Sequence, residues 1–180
     1  RIHLKSFHVR AGAACYHQGG DVYNVQGVTI HPAFNEINYD YDVGLVELSR
    51  KIEFDSTKRP IKLPELHSEI QNGAQVQVLG WGVSELLGPV SEELLCSTMQ
   101  KINNEDCQQT SGGDLLTHRM LCTLSDTSSA CVGDSGSPLV FNDTLFGIAS
   151  WSRSCAFHYP TAYTAISEVR DWIIEVTGGV

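Results

Sequence analysis

The chain reads as an all-β domain closed by one C-terminal helix. Three observations predict this. Short apolar segments alternate with polar residues at the two-residue period of half-buried strands. Gly, Pro, Asn and Asp punctuate those segments at short intervals. Convincing helical periodicity occurs once, at the end of the chain.

Residues 7–11 and 23–30 alternate as strands, and His31-Pro32 ends the second, because proline has no N–H to donate to a ladder. Residues 42–48, 75–79, 139–141 and 145–150 read as further strands. Ile166, Val169, Trp172, Ile173 and Val176 recur at helical spacing, with Ser167 a plausible cap and Gly178-Gly179 halting the pattern. A short helical turn is expected over residues 104–109. The sequence has no internal repeat and no low-complexity tract.

The 180 residues suffice for one large domain or two small packed barrels, and 42% hydrophobic with 18% charged residues suits a globular core. A net charge of −9 and a pI of about 5.1 count against nucleic acid or an anionic membrane as a partner. No apolar run approaches the ~18–20 residues a membrane span needs. The first residues carry no apolar stretch of the signal-peptide kind. Six cysteines stand at 15, 96, 107, 122, 131 and 155 without a C-x-x-C pair, which excludes zinc-ribbon and thioredoxin-type spacing. Such scattered cysteines fit disulfides in an oxidising compartment, and the sequon Asn142-Asp143-Thr144 would be usable there. The expectation is a secreted, extracellular protein.

The segment richest in chemistry is Cys131-Val132-Gly133-Asp134-Ser135-Gly136-Ser137-Pro138. A nucleophilic serine needs an exposed hydroxyl and backbone N–H groups aimed where an oxyanion forms. Flanking glycines permit the tight turn this requires. Taken alone, the segment is as easily a Gly/Ser/Pro surface turn. An α/β-hydrolase elbow does not fit, since Ser137 stands where its last glycine belongs and alternating helices are absent.

Other stretches decide between those readings. Val9-Arg10-Ala11-Gly12, His31-Pro32-Ala33-Phe34, Asp40-Tyr41-Asp42 with the strand after it, Leu79-Gly80-Trp81-Gly82, Ser150-Trp151 and the Trp-containing terminal helix occur in one order along the whole chain. In that order and spacing the chain resembles the chymotrypsin/trypsin-like serine protease family. The resemblance implies two Greek-key six-stranded antiparallel barrels with a C-terminal helix, the first barrel only half present. Residues 1–60 would hold the second half of the N-terminal barrel and the crossover, 61–165 the C-terminal barrel, and 166–178 the helix.

The resemblance also implies roles. Ser135 would be the nucleophile, with the N–H groups of Gly133 and Ser135 as oxyanion hole. Asp42 would be the carboxylate that orients the histidine, with Asp40 its rival and Ser150 donating to it. Asp134 would receive the α-amine formed by zymogen cleavage. Cys107 would pair with Cys122 and Cys131 with Cys155. Cys96 matches a family cysteine whose partner position is Phe141 here, and Cys15 has no counterpart. Ser129 would form the base of the substrate pocket, Ser150 and Trp151 part of its wall, and Ser152 and Thr161 its narrowed sides. That favours small or medium apolar residues before the cut, since no carboxylate would meet a buried Lys or Arg. The partners implied are protein or peptide substrates and protein inhibitors. No cofactor and no calcium dependence are expected.

Two departures stand out. The family's Ala-Ala-His-Cys motif is absent: His3, His8, His17, His31, His67, His118 and His158 have other neighbours. Ser137 replaces the second glycine of the family's Gly-Asp-Ser-Gly-Gly-Pro, where a side chain could strain the turn. The expectations are that residues 1–180 alone are insoluble or inactive, and that the alternative function is a non-catalytic homologue acting as a protein-binding module.

Overall fold

A computed structural model describes residues 7–83, 88–111, 115–126, 132–154 and 158–179. Strands β1 (His8–Ala11), β2 (Asp21–Ile30) and β3 (Gly44–Leu48) form an antiparallel sheet in the order β1-β2-β3. Strands β4 (Gln75–Gly80), β5 (Leu95–Ile102), β6 (Met120–Leu124), β7 (Pro138–Phe141), β8 (Thr144–Ser152) and β9 (Thr161–Ala165) close into a barrel, order β4-β5-β6-β9-β8-β7. Helix α1 (Asn104–Ser111) links β5 to the segment before β6, and α2 (Ile166–Thr177) follows β9 directly. The all-β class, a closed six-stranded barrel, a further antiparallel sheet and the terminal helix are as expected.

Inside the barrel, Val76, Val78, Met99, Leu121, Leu139, Ala149 and Tyr163 form one buried cluster. A second cluster docks α2 through Ile166, Val169 and Ile173 onto Val43, just before β3. Each fully buried side chain of this size contributes roughly 1.5–3 kcal/mol. The β1-β2-β3 sheet is less covered: Val28 and its cross-strand partner Val46 are 37% and 51% exposed, and Ile30 is 54% exposed.

Three strands escaped the sequence reading, for a physical reason. Strand β9 is buried at every position and β6 at all but its last residue, so neither shows the alternation that marks a one-sided strand. On β5 the inward positions carry Met99 and Lys101, and a buried lysine disguises the core face. The helix start also needs correction. Ala165 is the N-cap with no side-chain hydrogen bond, while Ser167 lies buried in the first turn. At the other end Gly178 adopts φ 77° and donates its N–H to the Ile174 carbonyl, a left-handed cap suited to glycine.

Candidate active site

The turn that carries Ser135 leads into β7, and Ser135 is exposed on it. Gly133 and Gly136 have φ of 95° and 84°, which side-chain-bearing residues rarely adopt. The turn is tied to β8: Gly136 N–H donates to the Ala149 carbonyl at 2.8 Å, and Ala149 N–H to the Ser137 carbonyl at 2.9 Å. Ser137 N–H closes on the Asp134 carbonyl at 2.8 Å. Ser137 is not among the positive-φ residues, so its side chain meets no backbone strain there.

Behind the turn, Asp134 Oδ1 accepts the Gly82 N–H at 2.9 Å. A Cβ on Gly80 would lie 2.0 Å from Asp134 Oδ1, and one on Gly82 would lie 2.3 Å from Oδ2. Both glycines of Leu79-Gly80-Trp81-Gly82 are therefore required by the close approach of this carboxylate. The motif and the turn that carries Ser135, some fifty residues apart in sequence, are one packed unit.

Asp42 stands two residues ahead of β3 and is half-buried. Its Oδ2 accepts the Ser150 hydroxyl at 2.7 Å, and its backbone carbonyl accepts the Thr164 hydroxyl at 2.8 Å. Strands β8 and β9 of the barrel thus hold Asp42, the first by its carboxylate and the second by its backbone, where the chain leads into the other sheet. Asp40 is employed differently. It is 8% exposed and takes Arg119 Nε at 3.0 Å on Oδ1, Arg119 Nη2 on Oδ2, and Thr117 Oγ1 at 2.8 Å. Burial alone would raise the Asp40 carboxyl, but bonds from Arg119, Thr117 and Tyr41 N–H, with the Arg119 charge, outweigh it and hold it below its ordinary value.

Arg119 also lies over the Tyr41 ring at 4.4 Å, His31 stacks on Tyr41 at 4.3 Å, and Trp172 of α2 meets His31 at 4.7 Å. This stack braces the segment between the two sheets against barrel and helix, directly beside Asp42. Sequence reasoning missed Thr117, Arg119 and Thr164 in these roles. The only signal was the paired acids of Asp40-Tyr41-Asp42, which says nothing about distant partners.

Ser152 and Thr161 are paired across β8 and β9, and Thr161 is buried. Ser152 Oγ lies 2.9 Å from the Ser154 carbonyl and 3.0 Å from that of Pro160, within donating reach of both. Trp151 packs on the cluster of Cys107, Cys122 and Ala162. Cys107 and Cys122 are disulfide-bonded. Ser129, Cys131 and Cys155 lie outside the described residues.

Comparison with known proteins places this arrangement. The Trypsin family model matches residues 2–173. Trypsin 5G1 of Aedes aegypti is 35% identical over 176 residues, covering 94% of this chain and 65% of that protein. A trypsin of Phaedon cochleariae is 33% identical over 177 residues, covering 96% and 69%. Chymotrypsin-2 of Vespa crabro is 32% identical over 166 residues, covering 92% and 75%. The chain belongs to the trypsin family. It spans about two thirds of the length of such relatives, 65% for the first. The relatives carry both trypsin and chymotrypsin names, so membership leaves substrate preference open.

Within this trypsin-family chain, no histidine among the described residues bonds to Asp42 or Ser135. His67 Nδ1 meets Glu168, His158 Nδ1 meets Asp126, His118 meets Arg119, and His17 lies beside Cys15. No cluster of potential metal ligands occurs among the described residues. Cys15 and Cys96 are free. Cys96 pairs with Leu79 across β4 and β5, whereas Val140 pairs with Gln77, so Phe141 lies farther down the ladder. The expected relation of Cys96 to the Phe141 position does not hold, because the two sit at different heights on β4.

Proposed function

We propose that the protein is a serine endopeptidase in which Ser135 is acylated. Its Oγ attacks the scissile carbonyl while a histidine takes the hydroxyl proton, then passes that proton to the departing amine. Water hydrolyses the acyl-enzyme with the same histidine as base. Asp42 orients that histidine and stabilises its imidazolium, and the N–H groups of Gly133 and Ser135 receive the oxyanion. The single observation that carries this reading is Asp42 held by the barrel that presents Ser135 on a glycine-flanked turn, its carboxylate accepting the Ser150 hydroxyl and its backbone carbonyl that of Thr164.

Asp134 accepts the new α-amine after zymogen cleavage in this reading, exchanging part of its present environment for an ion pair. The substrate pocket is formed by Ser129, Ser150, Trp151, Ser152 and Thr161. With side chains rather than open space at Ser152 and Thr161, it favours small or medium apolar residues before the cut. The protein acts outside the cell, on protein or peptide substrates, and protein inhibitors would occupy the same cleft. Neither nucleic acid nor membrane enters this reading. Residues 1–180 alone are inactive in this proposal, because no histidine in the sequence has the family's Ala-Ala-His-Cys context.

A fluorophosphonate probe, which phosphonylates an activated serine with loss of fluoride, tests the proposal on the full-length activated protein. Labelling that maps to Ser135 and disappears in Ser135→Ala supports it, as does faster cleavage of Ala or Leu anilides than of Arg anilides. Absence of labelling and turnover in that protein would replace the enzyme with a non-catalytic binding homologue.

A further inference from the structure

The barrel end remote from Ser135 holds a cavity. Gly80, which contacts Asp134, pairs with Leu95 at one end of the β4–β5 ladder, and Gln75 pairs with Gln100 at the other. Beyond Gln100 stands Lys101, which lines a cavity of about 540 Å³. Pockets for small organic molecules run to about 300–1,000 Å³. The apolar lining comes from Ile70, Met120, Leu121, Phe146 and Ala165.

Lys101 is only 8% exposed. Its ammonium donates to Asn72 Oδ1 at 3.2 Å and to the Ile102 carbonyl, both neutral acceptors. An ammonium has three donors, so one N–H remains. The contrast with the other sheltered cations is sharp. Lys58 meets Asp21 and Asp55, and Arg119 meets Asp40, while no carboxylate among the described residues lies within salt-bridge distance of Lys101. Burial accordingly pulls the Lys101 ammonium below its ordinary pKa, opposed by the field of Glu69. A buried cation without a counter-charge is costly, and a ligand that brings one recovers part of that cost.

Two acids limit what that ligand can be. Glu69 and Glu168 also line the cavity, and Glu168 Oε1 is already paired with His67 at 3.0 Å. Their charge disfavours phosphate, sulfate or any polyanion, and the apolar lining asks for a hydrocarbon body. We propose that this cavity binds a small monocarboxylate with an apolar body, its carboxylate accepting the remaining Lys101 N–H. The hydrocarbon lies against Ile70, Leu121 and Phe146. The site is separate from the proposed catalytic residues and does not depend on their assignment.

Isothermal titration of the full-length protein with 3-phenylpropanoate, 3-phenylpropanamide and inorganic phosphate tests this. The acid should bind with the amide at least roughly tenfold weaker, the scale of a lost charge-assisted bond. Lys101→Met should bind the acid at least roughly tenfold more weakly than the wild type, while its melting temperature without ligand stays equal or rises, as for removal of an uncompensated buried charge. No binding of the acid by about 10 mM, equal binding of acid and amide, or preference for phosphate overturns the proposal. The acid-against-amide comparison needs no variant, so it decides even if Lys101→Met fails to fold.

Discussion

Arg119→Met should destabilise the fold through Asp40, and the size of the effect follows from the geometry. Asp40 is 8% exposed, and Arg119 supplies two of its side-chain hydrogen bonds together with the neutralising charge. Breaking a buried pair by removing one partner costs about 3–5 kcal/mol, because the remaining charge is left uncompensated. Here the Arg119 side chain keeps 20% of its exposure and Thr117 still donates at 2.8 Å, which moves the expectation to about 2–3 kcal/mol at neutral pH. The pH dependence is a sharper test. In the wild type the Asp40 carboxyl lies below its unfolded value of about 3.9, so its contribution is present above that value and is lost as pH falls through the folded one. Removing Arg119 leaves burial as the main influence and raises the folded value. Acid then protonates the native carboxyl and relieves the variant. The difference between wild type and Arg119→Met should therefore be largest near neutrality and shrink toward pH 3. Urea titrations at several pH values, in a double-mutant cycle with Asp40→Asn, measure both quantities. A coupling below about 0.5 kcal/mol, or a difference independent of pH, would refute the reasoning.

Ser150→Ala removes the donor on Asp42; a bond to a charged group is worth about 1.5–3 kcal/mol, so kcat in the full-length enzyme should fall at least roughly tenfold with KM little changed. Gly82→Ala places a methyl 2.3 Å from Asp134 Oδ2 and should displace the turn that carries Ser135, abolishing fluorophosphonate labelling. Gly136→Ala, which meets open space at φ 84°, should instead cost about 1–3 kcal/mol of stability on chemical unfolding and still permit labelling. Replacing Cys107 and Cys122 together by alanine opens a link of 15 residues and should lower stability by about 3 kcal/mol on the chain-entropy model, measured by calorimetry.

The parts of this fold that were legible in the sequence are those where local pattern and tertiary role agree. Strands β2, β4 and β8 announce themselves by alternation, and α2 by its apolar stripe and terminal glycines. Strands β6 and β9 do not, because a strand enclosed on both faces has no polar side to alternate with. Lys101 hides β5 for the related reason that a buried cation looks like a surface residue until its surroundings are known. The glycine-flanked turn around Ser135 was legible because its glycines are demanded by backbone geometry, which a sequence records directly.

Asp40 and Asp42 mark the limit of that legibility. They are two residues apart and chemically identical, and either could have been chosen from composition alone. Position relative to the following strand favours Asp42, but the physical distinction lies in partners seventy or more residues away. Arg119 and Thr117 neutralise and enclose Asp40, whereas among the described residues Asp42 receives a single neutral hydroxyl, from Ser150, on its carboxylate. A carboxylate already matched by a guanidinium has little charge left with which to stabilise an imidazolium. One held by a neutral donor keeps it. That difference in residual charge supports Asp42 as the catalytic acid and leaves Asp40 to hold the intervening segment in place, a division that Asp42→Asn and Asp40→Asn should separate into loss of kcat and loss of stability.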